Sequence, residues 1–156
     1  MRRIIGALMV MGLMCGRVFA LELPDSVGEW HSVSRHVQSL ITEYNGESHG
    51  TVTYMTYVRE SPSARVEVIL TEGAGTGSLY VPENARGSRG VMPADSGYER
   101  LTVAGHEAVL ETVPGMAVAL AVCLSGDAVM TAEGQGVDAE GVVDFAGRMI
   151  DRLNIQ

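Results

Sequence analysis

The chain has 156 residues and a formal net charge of −8, and all eleven of its basic side chains are arginine. Because it contains no lysine, the sequence excludes a Walker A nucleotide site, a pyridoxal Schiff base and a serine-lysine acyl-transfer site. Its acidity also argues against a nucleic-acid partner, since neutralising phosphates requires a basic surface.

The first 20 residues predict an export signal. Arg2 and Arg3 precede an apolar stretch, residues 4–14, that is too short to cross a bilayer, and Val18-Phe19-Ala20 suits signal peptidase. We expect cleavage after Ala20, so that residues 21–156 form a single exported domain in the periplasm or medium, with no transmembrane segment. The exported domain would then contain eight arginines and nineteen acidic residues, which gives a net charge of −11.

Cys15 offers an alternative reading of the leader as a lipoprotein signal. Such signals carry leucine three positions before the acylated cysteine and a small residue directly before it, whereas Gly12 and Met14 occupy those positions here. The lipoprotein reading is therefore the weaker one. Once Cys15 is removed, Cys123 is the only cysteine, and no intramolecular disulfide can form.

An N-terminal helix is predicted after an extended entry. Pro24 keeps residues 21–28 out of a helix. The spacing of the next apolar residues fits a helical face better than the alternation of a strand, which Val33, Val37 and Ile41 would also satisfy. Asn45-Gly46 is a typical helix end. The residues at helical spacing are Trp30, Val33, Val37, Leu40, Ile41 and Tyr44.

A β-hairpin and a long loop are predicted next. Residues 51–58 and 65–71 are rich in β-branched side chains, and residues 60–63 form the turn between them. Residues 72–97 are rich in glycine and proline. Structureless loops of that length are uncommon, so a function carried by a loop is expected there.

The remaining sequence predicts an antiparallel meander that ends in a helix. Residues 98–104, 106–113, 116–124 and 128–133 read as strands, and the connections between them are too short for parallel neighbours. Asp138 is the expected helix cap, and Asp144 and Arg148 are spaced to pair. The apolar stripe of this helix comprises Val142, Phe145, Ala146, Met149, Ile150 and Leu153.

The third strand of the meander indicates how the sheet is covered. Neither of its two side-chain sets is polar, which predicts burial on both faces. The fold expected is therefore α+β, an antiparallel meander with an N-terminal helix and a C-terminal amphipathic helix in an α/β/α sandwich. The two sets are Val118, Leu120, Val122 and Leu124, and Ala117, Ala119, Ala121 and Cys123.

This order of elements resembles a known fold family. A meander containing Val103-Ala104-Gly105-His106-Glu107-Ala108, followed by strand, turn, strand and terminal helix, is similar to the C-terminal half of the Mog1/PsbP-like sandwich. The resemblance covers residues 98–156. Members of that fold include Ran-binding proteins, photosystem accessory proteins and exported bacterial lipoproteins. The resemblance implies binding or assembly without catalysis.

One short motif would instead suggest a hydrolase. Gly46-Glu47-Ser48-His49-Gly50 matches the G-x-S-x-G nucleophile elbow, in which a serine sits between a strand and a following helix. Here the predicted helix comes first and the strand follows. A small serine hydrolase would need Ser48 within hydrogen-bond reach of His31, His36, His49 or His106.

Two further motifs are incomplete. His106-Glu107 begins like the zinc motif H-E-x-x-H, but Leu110 occupies the position of the second histidine, and the segment is a predicted strand. The glycine-rich residues 73–78 lack the third glycine of the dinucleotide fingerprint and precede no helix. We therefore predict no catalytic, cofactor-binding or metal-binding residues.

The sequence thus favours a noncatalytic binding or envelope-assembly module whose partner is an unidentified protein or small ligand. The alternatives are a small serine hydrolase using Ser48 and a purely structural subunit.

Overall fold

The computed structural model describes residues 21–41, 48–80, 97–115 and 117–153. Within these residues the chain forms one antiparallel sheet of eight strands and one α-helix, α1, at Ala139–Ile150. The strand order across the sheet is β1-β2-β3-β4-β8-β7-β6-β5. The strands are β1 Ser26–Val27, β2 Trp30–Ile41, β3 Ser48–Arg59, β4 Ala64–Gly73, β5 Gly97–Val103, β6 His106–Val113, β7 Ala117–Ser125 and β8 Ala128–Gln135.

The predicted hairpin and meander are both confirmed. β3 and β4 pair from Arg59 with Ala64 to Gly50 with Gly73. β5 to β8 form consecutive antiparallel neighbours, and β4 pairs with β8, which joins the hairpin to the meander in one sheet. Strict alternation of buried and exposed residues along β4 and β8 fixes this register, because a shift by one residue would turn every side chain to the other face.

The C-terminal helix is also confirmed, including its capping and its charge pair. The Asp138 carboxylate accepts a hydrogen bond from the Gly141 backbone N–H at 2.9 Å. Arg148 Nε lies 2.9 Å from Asp144 Oδ2 on the exposed side. The predicted apolar stripe packs against the sheet, so α1 buries the face on which the core forms.

Phe145 is at the centre of the core. Its ring contacts both Trp30 and Tyr57 edge to face, with ring centroids 5.3 Å apart in each pair. Burial, followed by the nearby charge of Asp25, raises the pKa of the Tyr57 hydroxyl above its ordinary value. That hydroxyl donates a hydrogen bond to the Pro24 carbonyl at 2.7 Å, which satisfies its donor inside the core.

The N-terminal segment, residues 21–27, covers the part of the same face that α1 does not reach. Leu23 is fully buried in the core. The Asp25 carbonyl accepts from the Ser32 N–H at 2.8 Å, and the Ser26 carbonyl accepts from Arg152 Nη1 at 2.6 Å. The segment is therefore held along its length.

The predicted N-terminal helix is wrong, because Trp30–Ile41 is strand β2. Apart from Trp30, the large apolar side chains of β2 are exposed, so their helical spacing does not report a buried helical face. Register shifts at Ser32/Ser34 and Leu40/Ile41 also break the alternation typical of a strand. Valine, serine and histidine are mediocre helix formers, which favours the strand. The proposed helix end at Asn45-Gly46 lies outside the described residues.

The α/β/α sandwich is wrong for the same reason. With β2 in the sheet, the described residues provide one helix, and it packs on the face that carries Val118, Leu120 and Val122. The sandwich would require a second helix on the alanine face of β7, and the described residues place none there. In the described part of the chain, the fold is a single open sheet covered on one face by α1 and the N-terminal segment.

Candidate binding surface

The sheet presents one face to α1 and the other, here called the open face, away from it. Cross-strand pairing places the open-face residues of five neighbouring strands side by side. They are Val52, Tyr54 and Thr56 of β3, Glu67, Ile69 and Thr71 of β4, Val129, Thr131 and Glu133 of β8, Ala117, Ala119, Ala121 and Cys123 of β7, and Val109 and Glu111 of β6. Two of them, Val52 and Val109, are buried.

An apolar row crosses the middle of the open face. Tyr54 pairs with Ile69, Ile69 with Thr131, Thr131 with Ala121, and Ala121 with Val109. Tyr54 and Ile69 are 39% and 36% exposed, so the row presents two adjacent large side chains to water. The His36 ring, on β2, lies 6.1 Å from that of Tyr54 and extends the row to the edge of the sheet.

Carboxylates interrupt the apolar surface in the adjacent row. Glu67 and Glu133 are directly opposite each other on β4 and β8. Glu67 pairs with Arg65 at 2.6 Å, and Glu111 accepts a hydrogen bond from the Tyr98 hydroxyl at 3.0 Å. Because carboxylates are costly to bury without a partner, this row limits the apolar contact area of the open face.

The small side chains of β7 are only half-buried on the open face. β7 lies between β6 and β8, and the described residues place no helix over its alanines. The sequence pattern therefore predicted burial correctly on one face of β7 and overestimated it on the other.

Ala119→Leu should change the free energy of unfolding by no more than about 0.5 kcal/mol, because the added atoms extend away from the core. Ala132→Leu, on the covered face and 1% exposed, should cost about 1–3 kcal/mol through overpacking. Urea unfolding of both variants measures the difference. A loss above 1 kcal/mol for Ala119→Leu would show that this face is covered.

The outer side of β2 is the second notable surface. β1 pairs only with Trp30 and His31, and the Ser32 N–H bonds to Asp25. Residues 33–41, here called the β2 edge, have no neighbouring strand on that side among the strands described above. Of the six large apolar side chains exposed in the described residues, four lie here: Val33, Val37, Leu40 and Ile41.

The two edges of the sheet differ in the residues that oppose pairing with a strand of another chain. β5, at the opposite edge, carries Glu99 and Arg100 within seven residues. The β2 edge has Arg35 as its only charged residue, contains no proline, and exposes Val37 and Ile41 at 50% and 62%. Charges and proline are the usual protection of an exposed strand, so the β2 edge is the less protected of the two.

The structure separates Ser48 from the histidines a hydrolase would need. Ser48 pairs with Ile41, and His36 and His31 lie five and ten residues further along β2, about 17 and 33 Å away. His106 begins β6, four strand positions across the sheet. His49 is adjacent in β3, where successive side chains point to opposite faces. The Ser48 hydroxyl donates to the Gly50 carbonyl at 3.3 Å, so this geometry does not support the hydrolase.

Neither of the other two motifs forms a site in the described residues. His106 and Glu107 open β6 after a tight turn, and none of the described histidines, cysteines and acids cluster as metal ligands would. The N–H groups of the glycine-rich loop make hydrogen bonds to the β7–β8 turn. Gly73 donates to the Asp127 carbonyl and Gly75 to the Asp127 carboxylate, and Gly77 donates to the Gly126 carbonyl. Because those donors are already bonded, they cannot hold a phosphate group, and the helix that begins within the loop is a four-residue 3-10 helix, Thr76–Leu79.

The loop predicted at residues 72–97 is therefore partly structural. Its first part continues β4 and packs on the β7–β8 turn through the contacts of Asp127 and Gly126. Residues 81–96 lie outside the described residues. The surface that sequence reasoning missed is the β2 edge, and the available signal was the near absence of charge from Trp30 to Ile41.

Comparisons with known proteins found no matching family model, no matching curated protein and no matching solved structure. The resemblance to the Mog1/PsbP-like family stays a prediction. In the part of the chain that is described, no helix has the length and apolar character needed to cross a membrane.

Proposed function

We propose that this protein is an exported, noncatalytic binding module that accepts an extended segment of a partner polypeptide as an additional strand along the β2 edge. The observation that carries the proposal is the run of nine residues, 33–41, whose outer side faces no described strand and exposes four large apolar side chains.

Addition of a strand would pair the outward backbone groups of this edge and cover its exposed apolar side chains. The outward N–H and C=O groups of β2 would gain partners in a regular ladder. Side chains of the added strand would shield Val37 and Ile41 from water. Peptide recognition of this kind takes affinity from main-chain hydrogen bonds and specificity from alternate side chains.

The charges of β2 favour a particular partner chemistry. Between Trp30 and Ile41 there is no acidic residue, whereas the whole chain carries a net charge of −8. Arg35 contacts Glu22 at 3.4 Å, and both side chains are largely exposed, at 43% and 79%. Exposed pairs contribute little stability, so a partner carboxylate could replace Glu22 at small cost. We therefore expect a segment with alternating apolar side chains and a carboxylate placed opposite Arg35.

Peptide selection tests this proposal. Random ten-residue peptides are displayed and selected on the immobilised chain beginning at Leu21, and the affinity of a selected peptide is measured by fluorescence anisotropy. Val37→Lys combined with Ile41→Lys should weaken binding at least tenfold, because charged side chains on an edge strand oppose pairing. Ile69→Lys, on the open face, should leave the affinity within about twofold.

Three outcomes contradict the proposal. One is a selected peptide that binds the double variant as tightly as the unaltered protein. Another is a loss of affinity in Ile69→Lys alone, which would place the binding surface on the open face. The third is a dimer in light scattering that the double variant dissociates, without any peptide binding, which would favour the structural-subunit alternative.

A further inference from the structure

Glu72 is a buried carboxylate that the proposed binding surface does not use. Its side chain is only 7% exposed, and it lies near the end of β4 on the face that α1 and the N-terminal segment cover. Ionised carboxylates are rarely buried without a partner, because removing them from water is costly. The contacts of Glu72 should therefore explain why it is tolerated there.

Among the described residues, the side-chain partner of Glu72 is the backbone nitrogen of Leu21. Leu21 N donates to Glu72 Oε1 at 2.6 Å across 51 residues of sequence. The residues that follow Leu21 are held against the sheet. Leu23 is buried in the core. The Pro24 and Asp25 carbonyls accept hydrogen bonds from the Tyr57 hydroxyl and the Ser32 N–H. These contacts therefore position Leu21 N next to the Glu72 carboxylate.

Leu21 is also the residue at which the predicted export signal ends. We propose that Glu72 is a docking site for the α-ammonium group created at Leu21 by signal-peptide removal, so that cleavage stabilises the fold. Signal peptidase breaks the Ala20–Leu21 peptide bond with water. The water oxygen enters the carboxylate of Ala20, and Leu21 N leaves as an amine that takes up a proton.

Cleavage changes the chemistry of this contact. Before cleavage, Leu21 N is an amide with one proton and no charge. Afterwards it is an ammonium with three protons, and its hydrogen bond to the Glu72 carboxylate becomes charge-assisted at both ends. Among the described residues no basic side chain pairs with Glu72, so cleavage supplies this carboxylate with a counterion and the uncleaved chain is the less stable form. The inference rests on cleavage after Ala20 and is independent of the β2 edge.

The composition of the chain makes this contact easy to test. Because the sequence has no lysine, the α-amine of Leu21 is the only primary amine in the cleaved protein. An amine-selective acetylating ester applied to the unfolded protein therefore removes this one positive charge and alters no other amine. After refolding, urea unfolding compares the acetylated and free forms.

We expect acetylation to reduce the folding equilibrium constant at least tenfold in the unaltered protein. In Glu72→Gln, which keeps the shape of the side chain and removes its charge, the acetylated and free forms should unfold at the same urea concentration. Glu67→Gln, at an exposed carboxylate on the same strand, should retain the full effect of acetylation. This double-mutant comparison isolates the interaction of Glu72 with the amine.

Other results would overturn the inference. The first is that the acetylated and free forms of the unaltered protein are equally stable. The second is that acetylation still destabilises Glu72→Gln. The third is that the amine is labelled as fast in the folded protein as in urea. Mass spectrometry of the exported protein provides a further test, because a mature chain that does not begin at Leu21 would contradict the proposal directly.

Discussion

Phe145→Ala should lower the free energy of unfolding by about 3–5 kcal/mol, the range expected when a buried aromatic ring is removed from a well-packed core. Phe145 is completely buried and contacts the rings of both Trp30 and Tyr57. Its loss would leave a cavity where α1, β2 and β3 meet. Because an ordinary domain is stable by only ~5–15 kcal/mol, the urea midpoint should fall substantially.

Arg148→Ala is the matched control for this substitution. Arg148 lies on the exposed side of the same helix, where its pair with Asp144 is accessible to water. We expect a change of no more than about 0.5 kcal/mol, typical of an exposed helical ion pair. A loss below 1 kcal/mol for Phe145→Ala would contradict the packing of α1 on the sheet.

Gly77→Ala should destabilise the protein by about 1–3 kcal/mol, because the new methyl group has no space. A Cβ at Gly77 would lie 2.5 Å from the Ser125 carbonyl oxygen and 2.8 Å from that of Gly126. Both atoms are backbone in the β7–β8 turn, so neither can move aside as a flexible side chain would. The hydrogen bond from Gly77 N to the Gly126 carbonyl, 2.9 Å, would be strained as well.

Gly126→Ala tests the same turn without the collision, since nothing lies within 4 Å of a Cβ built there. Its unfolding midpoint should remain close to that of the unaltered protein. If Gly77→Ala were equally neutral, the glycine-rich loop would not pack on the β7–β8 turn as described.

Sequence reasoning succeeded where burial imposes a regular pattern. The alternation in β4, the short turns of the meander and the apolar stripe of α1 each reflect one buried face, and the elements they predicted are confirmed. Burial imposes no such pattern on β2, because its apolar residues beyond Trp30 are exposed and two register shifts interrupt its alternation. The helical spacing found there was coincidental.

The β2 edge and the contact between Leu21 and Glu72 were harder to infer from sequence. An exposed edge becomes visible only when the neighbours of a strand are known, and β2 lies at the edge because β1 is just two residues long. The contact between Leu21 and Glu72 joins residues 51 positions apart. The predicted cleavage after Ala20 marked Leu21, but nothing in the sequence distinguished Glu72 from the other acids. Its burial arises from the sheet register and from the path of the N-terminal segment.

Amide hydrogen exchange, measured with and without a selected peptide, is the most direct test of strand addition at the β2 edge. Pairing with a peptide should slow exchange of the outward-facing amides of residues 33–41, while amides of β5 at the opposite edge keep their rates. Unchanged exchange across residues 33–41 at saturating peptide, or protection confined to β5, would contradict the account.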